Sequence, residues 1–311
     1  MSLGGAGAGL AGLSSRGITG SRGEDKVADK YRGPLFMALA ASIWGGMYVV
    51  SKLVLVLVAP LALVWLRYVV GLAALGLLGL LTRERWHLRW GDVPTLGAIG
   101  VVGYGISIWA QFRGTQLSTA QAASVITAAT PAFMVVFGRL LLRERVTWRR
   151  AAAVAAATLG VLVIVGAGSV STSPAGGLIL GLAAVTWALM SVLVKRVPAD
   201  YSALAVTTYG ILVAAVLITP LALPQAPTAA AITGNPLLWG GLLYLGVVST
   251  AGAFFFWTRG VQLVDAGSGG VYFFFQPLVG TTLGWLVLGE PVGWTFVVGA
   301  ALIAAGVALT L

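Results

Sequence analysis

Ten apolar blocks follow one another along this chain, separated by short breaks rich in polar residues, glycine and proline. They lie at 35–57, 61–82, 93–113, 119–142, 147–166, 177–195, 202–222, 237–259, 266–288 and 293–311. A membrane-spanning helix needs about 20 consecutive, mostly apolar residues, and each block approaches that length. Composition then separates a membrane fold from a soluble one. Hydrophobic residues make up 59% of the chain and charged ones 9%, against about 25% charged in soluble domains. A soluble globule must cover itself with polar groups, and this chain has too few. The expected fold is an all-α polytopic membrane protein of ten transmembrane helices in a lipid bilayer. Residues 1–33, glycine-rich with scattered charges, read as a disordered cytoplasmic head. The last block reaches residue 311 without a polar tail, so a longer natural C-terminus is expected.

The basic residues orient the helices. Five lie in the head, three between blocks 2 and 3 (Arg83, Arg85, Arg89) and five around the break between blocks 4 and 5 (Arg139, Arg143, Arg145, Arg149, Arg150). Lys195, Arg196 and Arg259 follow at later block ends. Sixteen of the 19 Lys and Arg thus fall on one side of an alternating bundle. The positive-inside rule makes that side cytoplasmic, with both termini on it. The net charge of +10 is then a topology signal, and no nucleic-acid partner is expected. Absence of cysteine removes disulfides and thiolate chemistry, and a single histidine, His87, removes multi-histidine metal sites. No phosphate-binding loop of the ATPase type occurs, and no cofactor is expected.

An internal repeat divides the chain. At a shift of 146, Arg113-Gly114-Thr115-Gln116-Leu117 falls on Arg259-Gly260-Val261-Gln262-Leu263. Pro131 meets Pro277, Gly138 meets Gly284, Glu144 meets Glu290, Trp148 meets Trp294, and Gly160-Val161 meets Gly306-Val307. Between 113–165 and 259–311, 16 of 53 positions match without a gap, enough to align the halves position by position. Nearer the start of each half the shift is 143, pairing Trp44 with Trp187 and Lys52 with Lys195. Each half holds five blocks. Five is odd, so the second half enters the membrane from the other side. Inverted repeats of this kind characterise secondary transporters that expose one site alternately to each side.

Two five-helix repeats, each closing with a proline, an apolar run, a glutamate and a Gly-Val helix, resemble the drug/metabolite transporter superfamily, EamA-type. The segments that carry the resemblance run from Pro131 through Glu144 to Gly160-Val161 and from Pro277 through Glu290 to Gly306-Val307. It spans residues 34–166 and 177–311. The ten-helix amino acid exporters look nearest, the YddG-type exporters of aromatic amino acids among them. The resemblance implies a central cavity lined mainly by helices 1, 3, 4, 6, 8 and 9, with 5 and 10 peripheral. It also implies export by alternating access from the bacterial inner membrane, and a chain that functions as a monomer and is not an enzyme.

Polar and aromatic residues within the blocks nominate a substrate site. A polar group facing hydrocarbon is costly, so such residues face a cavity or a partner helix. The substrate-binding candidates are Trp44, Tyr104, Trp187, Tyr244 and Gln276. Pro131 and Pro277 are hinge candidates, because proline disturbs helix bonding and a kink can serve as a gating bend. Charged residues within membrane spans are functional candidates, here Lys52 and Arg67, with Arg113 at a helix end. All nine acids, Glu24, Asp25, Asp29, Glu84, Asp92, Glu144, Asp200, Asp265 and Glu290, fall in the head, loops or helix ends. A proton relay through a midplane carboxylate or histidine is therefore absent, and facilitated uniport is expected. An alternative is a carrier of phosphorylated or other anionic metabolites using Lys52, Arg67 and Arg113. A more remote one is an intramembrane enzyme, which the lack of a midplane base disfavours.

Overall fold

The computed structural model describes residues 17–166, 173–265 and 269–309. Among them are ten long helices: α1 (Gly17–Val54), α2 (Pro60–Thr82), α3 (Trp90–Gln116), α4 (Ala120–Leu142) and α5 (Trp148–Gly166) form the first set. The second set is α6 (Pro174–Val194), α7 (Ala203–Ala222), α8 (Pro236–Leu263), α9 (Gly270–Leu288) and α10 (Trp294–Ala308). Eight of these, all but α5 and α10, are long and apolar enough to cross a membrane. A short helix, Ala229–Thr233, lies between α7 and α8. The first helix starts earlier than its apolar block. Residues 17–33, read from sequence as part of a disordered head, continue α1 through Pro34, and residues 1–16 lie outside the described residues. Glu, Lys and Ala between 24 and 30 are good helix formers, which hydropathy alone does not register.

Local chemistry sets the helix ends. Pro60, Pro174 and Pro236 occupy first-turn positions, where a missing N–H costs nothing. Ser173, Ser202 and Asn235 cap the starts of α6, α7 and α8 through their side-chain oxygens. α4 and α9 end in the same way. Arg143 (φ 57°) and Gly289 (φ 66°), repeat mates, adopt the left-handed conformation. The next N–H, of Glu144 or Glu290, then returns to the carbonyl of Gly138 or Gly284 at 3.1 and 3.2 Å. Glu290 is thereby turned onto the start of α4, where its carboxylate accepts from Ala120 N and Gln121 N, both at 3.1 Å. An anion at a helix N-terminus is favourable. A Cβ on Gly284 would lie 2.8 Å from Glu290 Oε2, so glycine here makes room for the carboxylate.

The two sets interlock. α1 packs on α8 and α9, and its mate α6 packs on α3 and α4. α2 packs on the middle of α8, and α7 on the middle of α3. α2 meets its own mate α7, and α5 meets α10. These contacts between the sets thus come in symmetry-related pairs or join a helix to its own mate. The α5–α10 pair also fixes direction: Gly160 lies against Gly299 and Ile303, while Gly306 lies against Ala153 and Ala157. Residue numbers rise along one helix as they fall along the other, so mates are antiparallel. Neither set buries its apolar faces alone, and the core is the seam between them.

Candidate functional site

Four helices depart from regular geometry where they meet at the seam. α3 is a π-helix over Ile99–Ser107, and α8 over Tyr244–Gly252. The two segments occupy equivalent positions in their repeats. π-segments widen a helix and recur at functional sites. α4 breaks after Thr127 and restarts at Thr130. α9 begins as a 3₁₀-helix over Gly270–Phe274 and becomes α-helical at Phe275. Pro131 and Pro277 sit in the first turns of the restarted segments. They start helices rather than kink continuous ones, because a first turn needs no N–H from them.

A polar network crosses the seam at these breaks. The Tyr48 hydroxyl of α1 contacts Thr127 Oγ1 of α4 at 2.7 Å. It accepts from Gln111 Nε2 of α3 at 2.6 Å and from Gln276 Nε2 of α9 at 3.3 Å. Gln276 Nε2 also donates to Thr127 Oγ1 (2.7 Å) and to the Ser124 carbonyl (3.2 Å). Both amide groups thus spend their N–H on the network. Their carbonyl oxygens, Gln111 Oε1 and Gln276 Oε1, are buried without a hydrogen-bond partner. Buried polar atoms are ordinarily satisfied, and two orphaned acceptors of one kind on one network mark a place for a donor.

Arg67 of α2 and an aromatic cluster adjoin the network. The guanidinium is fully buried. It donates to Thr250 Oγ1 at 2.6 Å and Ser249 Oγ at 3.2 Å, both in the π-segment of α8, and reaches Met47 Sδ at 3.2 Å. The Ser249 carbonyl accepts from Trp44 Nε1 at 3.1 Å. Trp44 packs edge-on against Trp187, ring centres 5.2 Å apart, and touches Phe254, Trp257 and Phe273. Tyr104 packs on Trp187 (5.9 Å) and Phe254 (5.0 Å). Trp187 Nε1 is buried and unpartnered.

Of the five substrate-binding candidates, the structure brings Trp44, Tyr104 and Trp187 into one cluster and Gln276 into the adjoining network. Tyr244 stands apart from the rings, half-buried, donating to the Ile43 carbonyl at 3.0 Å. The expected open central cavity is filled instead: Trp44, Tyr104 and Gln276 are buried by the rings and helices around them. Two cavities of about 530 Å³ lie elsewhere. One is polar, beside Lys195, Asp200, Tyr201 and Arg259; the other is an apolar groove between α2, α3 and α7 that Trp109 lines. The basic candidates do not converge. The Lys52 amine is spent on the carbonyls of Thr115, Gln116 and Ser118. Arg113 is exposed and bonded to Gln116, and Arg67 alone reaches the centre. Tyr48 and Trp257 were missing from the sequence candidates. Tyr48 follows Trp44 by one turn and so shares its helix face.

Interlocked inverted repeats around a buried polar centre define a membrane transporter. Both repeats match the EamA-like transporter family, over residues 31–166 and 175–311, and the chain belongs to that family. An uncharacterized transporter of Archaeoglobus fulgidus is 24% identical over 280 residues, covering 88% of this chain and 96% of its own. A protein of Streptantibioticus cattleyicolor named "Probable terminal-alkyne amino-acid exporter" is 29% identical over 222 residues, 70% of this chain and 73% of its own. A solved crystal structure superposes with a TM-score of 0.74 at 23% identity, covering 89% of this chain and 97% of the other, a likeness of fold.

Proposed function

We propose that this chain is an alternating-access carrier that exports neutral amino acids with aromatic or other apolar side chains down their own gradient. It acts as a monomer in the bacterial inner membrane, its arginine-rich end and both termini cytoplasmic. The observation that carries this reading is the pair of orphaned carbonyls, Gln111 Oε1 and Gln276 Oε1, beside the aromatic cluster. Buried acceptors of this kind suit a primary ammonium, and the rings suit an apolar side chain. The exporter name of the Streptantibioticus relative supports the same substrate class. Pro131 and Pro277, at the restarted helices, are the proposed hinges. A carrier of phosphorylated metabolites needs several basic groups around one anion, and Lys52 and Arg113 are engaged away from Arg67.

Counterflow in proteoliposomes tests the reading. Vesicles preloaded with unlabelled L-phenylalanine or L-leucine are expected to take up the labelled compound, and those preloaded with a sugar phosphate are not. Gln276→Ala removes one orphaned carbonyl and its network bonds, and should lower L-phenylalanine counterflow by about tenfold. Exchange of sugar phosphates with no exchange of either amino acid would refute the proposal.

A further inference from the structure

We propose that Arg67 is the carboxylate-binding pole of the substrate site, an assignment that rests on the amino acid reading above and completes it. The guanidinium is wholly buried, and every group it touches is neutral: the hydroxyls of Ser249 and Thr250, the sulfur of Met47, and the rings of Phe112 and Phe254 at 5.1 and 5.3 Å. Among the described residues no ion pair involves it. The chain has no counter-ion to bring, since all nine acids lie in the head, loops or helix ends. Burying an unpaired charge costs several kcal/mol. Packing alone gives no reason to keep arginine here, because an apolar residue of similar length would fill the same space.

The geometry points to an incoming carboxylate. A thioether is a weak acceptor, so the Nη1–H on Met47 gives up little when an anionic oxygen replaces the sulfur. The planar fork matches a carboxylate through two parallel bonds. Ser249 ties this pole to the aromatic cluster, its hydroxyl on Arg67 and its carbonyl on Trp44. Met47 and Phe112, which touch Arg67, are chain neighbours of Tyr48 and Gln111 in the polar network. The surroundings of the cation and the network that holds the two orphaned acceptors thus adjoin through α1 and α3. An α-amino acid that enters as the packed rings part would set its carboxylate on Arg67, its ammonium on the glutamine carbonyls and its side chain among the rings.

The test measures thermal protection of the purified protein in detergent, in a chloride-free sulfonate buffer. The probes are L-phenylalanine, L-phenylalaninamide, 2-phenylethylamine, 3-phenylpropanoate and, separately, sodium chloride. In the wild type, L-phenylalanine should protect at concentrations at least about tenfold lower than the amide or the amine. In Arg67→Met that preference should vanish, with 2-phenylethylamine protecting as in the wild type and the ligand-free melting temperature unchanged or raised. A merely structural arginine would instead lower the ligand-free melting temperature and keep the preference for the acid. Should Arg67→Met not fold, the wild-type comparison and Arg67→Lys decide: equal protection by acid and amide overturns the assignment. Full protection by chloride alone, with no further gain from carboxylates, also overturns it and makes the site one for an inorganic anion. If 3-phenylpropanoate protects through Arg67 but L-phenylalanine does not, the carboxylate pole stands and the amino acid reading falls.

Discussion

Lys52 and Lys195 hold equivalent places at opposite ends of the molecule. The Lys52 amine sits on the carbonyls of Thr115 (3.3 Å), Gln116 (3.4 Å) and Ser118 at the end of α3. The Lys195 amine sits on those of Val261 (3.1 Å) and Val264 at the end of α8. Positions 115 and 118 become 261 and 264 under the repeat shift, so one contact is a copy of the other. The last carbonyls of a helix lack intrahelical partners and carry the negative end of its dipole. A cation there is stabilising, and its recurrence in both halves favours a structural role over a coupling one. Lys52→Gln should cost about 1 kcal/mol of stability, seen as a lower melting temperature, and leave the order of substrate preference in counterflow unchanged. An altered preference at an unchanged melting temperature would return Lys52 to the substrate path. Charge within an apolar block made Lys52 and Arg67 visible in the sequence. What separates them was not: one amine finds carbonyls near a helix end, while one guanidinium is enclosed with no anion. Those fates depend on which helix lies opposite, which no single-helix pattern contains.

At the scale of elements, the repeat motif and the structure explain each other. Gly160 and Gly306 come from the matching Gly-Val pairs, and each faces backbone of the other repeat. A Cβ would lie 2.5 Å from the Gly299 carbonyl oxygen at one and 2.7 Å from that of Ala153 at the other. Small residues let helices in lipid approach this closely. Gly181 of α6, four residues after Gly177, by contrast faces open space. Overpacking a tight contact costs about 1–3 kcal/mol. Gly160→Leu and Gly306→Leu should therefore lower the melting temperature by similar amounts and Gly181→Leu should leave it unchanged, as thermal unfolding in detergent would report. Equal effects at all three positions would contradict the antiparallel α5–α10 contact. Helix positions were legible because hydropathy marks them, and α2, α4, α5 and α7 match their apolar blocks to within a residue or so. The π-segments of α3 and α8 were not. Widening a helix locally changes neither composition nor hydropathy, so it leaves no mark in a pattern count. The 3₁₀ start of α9 escaped for the same reason.

For the whole molecule, the distribution of titratable groups limits how transport is driven. A proton relay needs a group that changes charge near neutral pH in contact with the substrate path, ordinarily Asp, Glu or His. The centre of the seam holds Tyr48, Tyr104, Gln111, Gln276, Arg67 and the aromatic cluster. Arginine stays protonated at physiological pH, and amides do not titrate. Glu290 is fastened to the start of α4, Glu144 lies 3.8 Å from Arg150 at the arginine-rich end, and His87 and Asp200 pair there at 3.4 Å. These acids brace helix ends and loops and are remote from the centre. On the proposed alternating mechanism, the symmetry-paired contacts of the interlocked halves are the ones expected to open in turn. On that proposal the substrate's own gradient drives transport. Proteoliposomes should equilibrate L-phenylalanine without an imposed pH difference, and collapsing a pH gradient with an ionophore should leave the final distribution unchanged. Accumulation against a gradient that requires a proton gradient would place a titrating group on the path. Lys52 would then be the first residue to replace, since its amine is the one titratable cation in the apolar part of α1 beyond Arg32.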